Sequence, residues 1–185
     1  MKRKIQCFSI QTMGELKGFV KNGLDSSTLI NLIVVFHAEF DEFRAKGFTF
    51  PPNLFHYHAV SYSEVIGILI NKHGFSKEKA KNSFEKLKRE FDLQEIKRID
   101  SDETYEQLVE DANKEVVRKE RNPDLEIGEL DIIIIGGFLR EGINIVHSGD
   151  NGFLKTCKYL NINIAPMPER DIRKENEIKK LLKKH

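Results

Sequence analysis

Apolar residues recur along this chain in two rhythms. In "SKEKAKNSFEKLKREF", residues 76–91, Ala80, Phe84, Leu87 and Phe91 fall three or four places apart with charges between them, which predicts an amphipathic surface helix. "SDETYEQLVEDANKEVVRKER", residues 101–121, repeats the pattern with Tyr105, Leu108, Val109, Ala112 and Val116 on one face, and Pro123 lies just beyond its end. Short β-branched and aromatic runs, "LFHYHAV", "QEIKRI", "INIVH" and "INIAP", predict strands. "DSSTLINLIVVFHAEFDEF" begins with an acid and small hydroxyl residues and then turns apolar, the pattern of a capped, buried helix ending near "AKG". "SYSEVIGILINKHG" predicts a helix that stops at Gly74. "DLEIGELDIIIIGGFLREG" is ambiguous, since four isoleucines favour a strand and the length of the run favours a buried helix; we assign a helix. "NGFLKTCKYL" is the last of the body helices, and a first strand is expected within "LKGFVKNGL".

Strands that alternate with helices predict an α/β protein with a central parallel sheet flanked by helices. The expected organisation is a single domain over residues 17–166, preceded by an extension or extra strand over 1–16 and followed by a charged, helix-prone tail over 167–185. A length of 185 residues suits one well-buried core better than two small ones. With 30 basic and 29 acidic residues the formal charge is +1, which excludes a surface that is uniformly a polyanion binder. Two cysteines, Cys7 and Cys157, give neither a disulfide framework nor a metal finger, so a reducing compartment is expected. The N-terminus lacks the apolar stretch of a signal peptide, and "IIIIGGFL" is too short to span a bilayer; the expectation is a soluble, cytoplasmic protein with no membrane partner.

Four acids are placed where chemistry collects. Ligands of open parallel sheets bind outside the carboxyl ends of the strands. Asp25 follows the expected first strand, Glu64 is expected to begin the helix after "LFHYHAV", and Asp150 follows "INIVH". Asp131 heads the apolar helix, where its charge is costly without a neutralising partner. Each acid also has a purely structural reading. Asp25 and Asp150 suit helix N-caps, Ser61 and Glu64 have the spacing of a capping box, and Asp131 suits a first helical turn.

Taken together and in order, "LDSSTLINL", "SEVIGIL", "GELDIIIIGGFLREG" and "INIVHSGDNGF" resemble the PIN-domain nucleases, toxin-type members included, over about Leu24 to Ile164. The most specific stretch is Ser148-Gly149-Asp150 followed by Phe153. The chain departs from the family pattern in a less apolar first strand, in Gly136 and Gly137 where alanines are commoner, and in its length. The resemblance implies that Asp25, Glu64, Asp131 and Asp150 form an acidic quartet holding Mg²⁺ or Mn²⁺, with Ser27 and Ser148 in support. It implies a metal-dependent endoribonuclease that leaves a 5′-phosphate and a 3′-hydroxyl, either toxin-like or RNA-processing. The partners implied are an RNA substrate, an antitoxin or RNA-processing complex, and a second copy of the chain. The alternative is a catalytically idle RNA-binding or scaffolding subunit on the same fold.

Other features weigh less. His56 and His58 lie two apart on one strand, but without further ligands at suitable spacing they read as part of an aromatic strand face. The basic residues Lys77, Lys79, Lys81, Lys86, Lys88 and Arg89 read first as a solvated helix face. No Gly-rich phosphate loop follows an early strand, which weakens a nucleotide-binding reading.

Overall fold

The computed structural model describes residues 19–34 and 53–166. The end of the first helix near "AKG", the 1–16 extension and the 167–185 tail lie outside the described residues. Within them the order of elements is β1 (Val20–Leu24), α1 (Ser26–Val34), β2 (Asn53–His58), α2 (Ala59–Asn71), α3 (Lys77–Glu90), β3 (Gln94–Ile96), α4 (Asp102–Glu120), a 3₁₀ turn (Pro123–Leu125), α5 (Glu129–Arg140), β4 (Ile145–Ser148), α6 (Asn151–Tyr159) and β5 (Asn163–Pro166). The five strands form one parallel sheet in the order β3-β2-β1-β4-β5. This is the α/β architecture expected from the sequence.

The strand order creates a break in the winding. From β1 the chain moves outward through β2 to β3, then returns to lay β4 on the other side of β1. Doubly wound sheets leave a crevice at such a reversal, at the carboxyl ends of the two strands that diverge. Here those ends are Leu24 and Ser148, which lead directly to Asp25 and Asp150.

Side chains alternate across the strands, so each face of the sheet supports its own core. Leu24, Phe55 and Tyr57 cluster with Leu29, Val65, Leu69 and Phe84 of the first three helices. Ile96 and Val146 cluster with Val109, Ile134, Ile135, Phe138, Phe153 and Cys157 of the last three. A fully buried side chain such as Phe138 contributes about 2–3 kcal/mol by leaving water. Burial pushes the Cys157 thiol up, in keeping with an inert cysteine.

The isoleucine run is helical, and its glycines let it pack closely on its neighbours. A Cβ at Gly137 would stand 2.6 Å from His58 Cδ2, and one at Gly136 would stand 3.3 Å from the Glu106 backbone nitrogen. Helix α5 is therefore wedged between the sheet and α4 by a pair of glycines where even alanine crowds. On β1, Gly23 makes the matching concession, since its Cβ would meet the Phe138 ring at 2.8 Å.

Three local expectations are corrected. Helix α2 starts at Ala59, not Ser61, because His58 serves as the N-cap, its Nδ1 accepting from the Val60 N–H at 3.4 Å. Ser61 is consequently inside the helix and buried, and the Ser61–Glu64 capping box does not form. Leu108 faces solvent at 52% exposure; the buried stripe of α4 runs through Asp102, Val109, Ala112, Asn113 and Val116. The basic residues of α3 are exposed apart from the half-buried Lys88, with Ala80, Phe84 and Leu87 turned inward. No helix among the described residues is long and apolar enough to cross a membrane.

Candidate active site

Asp25 follows the last residue of β1 and is both a helix cap and the centre of a hydrogen-bond network. Its Oδ1 accepts from the Thr28 N–H at 2.8 Å, which caps α1. The Ser27 hydroxyl donates to the same carboxylate at 2.9 Å, and the Ser148 hydroxyl makes a short bond to Oδ2. The strand ends are tied as well, the Asp25 N–H donating to the His147 carbonyl at 3.2 Å. Asp25 is only 4% exposed. Burial pushes its carboxyl above the usual range, against the opposing pull of the bonds from Ser148, Thr28 and Ser27.

The β4 loop is bound to this centre from the other side. The Asp150 N–H donates to Ser148 Oγ at 2.9 Å, and the Gly149 N–H donates to Ser27 Oγ at 2.8 Å. Ser27 and Ser148 thus each relay between Asp25 and the loop that carries Asp150. Asp150 caps α6, its Oδ1 accepting from the Phe153 N–H at 2.7 Å, and the residue is exposed. Its other oxygen has no hydrogen bond among the described residues.

Asp131 sits in the first turn of α5, where Oδ2 accepts from the Gly128 N–H at 3.3 Å. It is half-buried, and its carboxyl is pushed up to about 6. Burial is the main cause, followed by the charge of Asp150; the charges of Asp25 and Glu64 act in the same direction. Glu64, in the second turn of α2, is half-buried and joins the group through this electrostatic effect on Asp131. The fold therefore brings the four sequence-singled acids, carried by β1, α2, α5 and the β4 loop, within electrostatic reach of one another at the sheet's reversal.

Their oxygens are not assembled as ready-made metal ligands: among the described residues no three His, Cys, Asp or Glu side chains stand in ligating geometry. Asp25, Asp131 and Asp150 each turn an oxygen to a backbone N–H. The chemistry of the donors still fits a hard cation. All are carboxylate or hydroxyl oxygens, the type Mg²⁺ and Mn²⁺ take, and a cation would relieve the part of the Asp131 shift that comes from neighbouring acids rather than from burial.

The histidines lie apart from this chemistry. His56 and His58 are both buried, and burial lowers the pKa of each. His58 packs on Gly137, and the charges of Asp102 and Arg140 act on it in opposite directions. His147 points into the sheet, its Nε2 3.0 Å from Asn22 Oδ1, and burial lowers its pKa too. Sequence reasoning missed Asn113, a buried amide bonded to both the segment before α5 and to α6. The available signal was a polar residue four places after Val109 and three before Val116, on an otherwise apolar stripe.

No protein-family model matches the chain, and no curated protein matches it. Among solved structures it is similar to the crystal structure of VapBC2 from Rickettsia felis bound to a DNA fragment from their promoter. The TM-score is 0.54 at 14% identity, over 80% of this chain and 98% of that one. At that identity the likeness is one of fold. The parallel sheet flanked by helices is the architecture expected from the sequence.

Proposed function

We propose that this protein is a metal-dependent endoribonuclease whose acidic pocket comprises Asp25, Glu64, Asp131 and Asp150. The observation that carries the reading is the Asp131 carboxyl at about 6, raised by burial and by the charges of three acids from three other elements. Like charges gathered at a sheet reversal lower stability, and such an arrangement persists where a ligand uses it. The fold likeness to a structure of a toxin–antitoxin complex supports the reading at the level of architecture.

In this proposal Asp131 and Asp150, each with an oxygen not committed to a cap, hold Mg²⁺ or Mn²⁺, together with Asp25 and Glu64. The bound cation supplies the Lewis acidity for phosphodiester hydrolysis, activating water and neutralising phosphate charge. Ser148 and Ser27 hold the Asp25 carboxylate in register with the Asp150 loop. The helix N-termini of α1 and α6 add partial positive charge beside the pocket, favouring the approach of a phosphate. The test is cleavage of single-stranded and structured RNA with Mg²⁺ or Mn²⁺, by wild type and by Asp150→Asn. Absence of metal-dependent cleavage in the wild type refutes the proposal.

One observation favours a second reading, an idle RNA-binding or scaffolding subunit: Asp25 is almost fully buried with both oxygens already bonded. RNA binding without metal-dependent turnover selects it. Whether the nuclease acts as a toxin with an antitoxin partner or in RNA processing is decided by a co-purifying partner that silences cleavage. A homodimer, also part of the proposal, is tested by sedimentation.

A further inference from the structure

Asn113 occupies the middle of α4 at 5% exposure, and both the amino group and the carbonyl oxygen of its amide are hydrogen-bonded. Nδ2 donates to the Leu125 carbonyl and to Thr156 Oγ1, each at 2.9 Å, and Oδ1 accepts from the Ile127 N–H at 3.3 Å. A carbonyl only accepts and an N–H only donates, so the partners fix which way the amide points. Thr156 extends the chain of bonds, its hydroxyl donating to the Gly152 carbonyl at 2.9 Å. Gly152 closes the loop: a Cβ there would stand 2.7 Å from the Leu125 carbonyl oxygen and 3.2 Å from Ile127 Cγ2.

These contacts join two pieces of backbone that matter to the pocket. Residues 125–127 run straight into Gly128, whose N–H is held by Asp131. Gly152 is in the first turn of α6, which Asp150 caps. An apolar residue at 113 would satisfy the core stripe, whereas a buried amide costs free energy unless all its partners are supplied. Here all of them come from the two segments that deliver Asp131 and Asp150, two carboxylates that repel each other.

We propose that Asn113, acting through Thr156, is a positioning residue that fixes the separation of Asp131 from Asp150 and so sets the affinity of the pocket for a divalent cation. The inference rests on the metal-dependent reading of the acids given above. It predicts that the hydroxyl of Thr156 matters more to the pocket than its methyl group.

The test is calorimetric titration with Mn²⁺ of wild type, Asn113→Ala, Thr156→Val, Thr156→Ser and Asp150→Asn, each at a temperature where melting shows it folded. Supporting groups of this kind cost about tenfold to a hundredfold in metal affinity when removed, so Asn113→Ala and Thr156→Val should weaken Mn²⁺ binding by about tenfold or more, while Thr156→Ser should stay within about twofold of wild type. A purely structural role predicts otherwise, because valine keeps the shape of threonine and serine leaves a small void. Wild-type Mn²⁺ affinity in Thr156→Val, or equal losses in the valine and serine variants, overturns the inference while leaving the metal reading intact. If Asn113→Ala does not fold, the threonine pair decides alone. A wild type that binds Mn²⁺ no better than Asp150→Asn overturns the metal reading and this inference with it.

Discussion

Replacing Asp131 by asparagine should stabilise the metal-free protein at pH 8 and help it much less at pH 4.5. The amide keeps an oxygen for the Gly128 N–H, so the start of α5 is preserved while the charge is lost. A carboxyl moved from its ordinary 3.8 to about 6 by folding corresponds to about 3 kcal/mol at full strength. The group is only half-buried, so solvent screening reduces this, and loss of a favourable charge at a helix N-terminus subtracts a little more; about 1–2 kcal/mol should remain. Because the folded-state value is raised, the neutral form is favoured by folding. Wild-type stability from this group is fully present below 3.8 and is lost as pH rises through about 6. The variant escapes the whole loss at pH 8 and roughly a third of it at pH 4.5. For a domain of this size the gain at pH 8 is a melting increase of about 3–6 °C. Differential scanning fluorimetry in chelator at both pH values gives the comparison. A variant that melts below wild type at pH 8, or that gains equally at both pH values, refutes the electrostatic account of the pocket.

Three further outcomes follow from the same contacts. Asp150→Asn should melt, without metal, at or slightly above wild type, since asparagine caps as well as aspartate and one charge leaves the pocket, yet lose most of the Mn²⁺-induced melting shift and cleave RNA at least a hundredfold more slowly; fluorimetry and a gel cleavage assay check both halves. Arg140→Leu strands Asp102, 1% exposed, whose two oxygens accept from Arg140 Nη1 at 2.7 and 2.6 Å; urea unfolding should show a loss of about 3–5 kcal/mol. Gly137→Ala drives a methyl group to 2.6 Å from His58, and the same urea assay should register about 1–3 kcal/mol of destabilisation.

The layout of the sheet was legible because the parallel strands are short apolar runs separated by strongly periodic helices; Phe84 and Val146 are where their rhythm places them. The isoleucine run was readable only through its length, since the wedge that demands Gly136 and Gly137 is a tertiary fact. Two residues misled. Ser61 advertises a cap, but the cap is made by His58, whose ring happens to reach the Val60 N–H as the strand ends. Leu108 advertises core, but the stripe of α4 is rotated so that Asn113 takes the inner place. Around the acids, residue type and order pointed to Asp25, Asp131 and Asp150, and each proves to be a first-turn or capping residue as well. A capping bond takes one carboxylate oxygen, so capping alone does not rule out the metal role proposed for these acids. What sequence alone could not supply was the relay through Ser27 and Ser148, because those bonds join residues more than a hundred positions apart.

The placement of β1 between β2 and β4 has a kinetic consequence. Pairing β1 with β2 closes a loop of modest length, whereas the bond from Ser148 to Asp25 spans 123 positions and waits on a much larger closure. Contacts of such separation form late and slowly. During synthesis the first sheet face can acquire its core before Asp131 and Asp150 have left the ribosome, since chains emerge from the N-terminal side. The acids meet only when the second half of the sheet docks, so a fragment ending before α5 would present Asp25 and Glu64 without the pocket. Assembly of the pocket thereby waits on the docking of β4 beside β1.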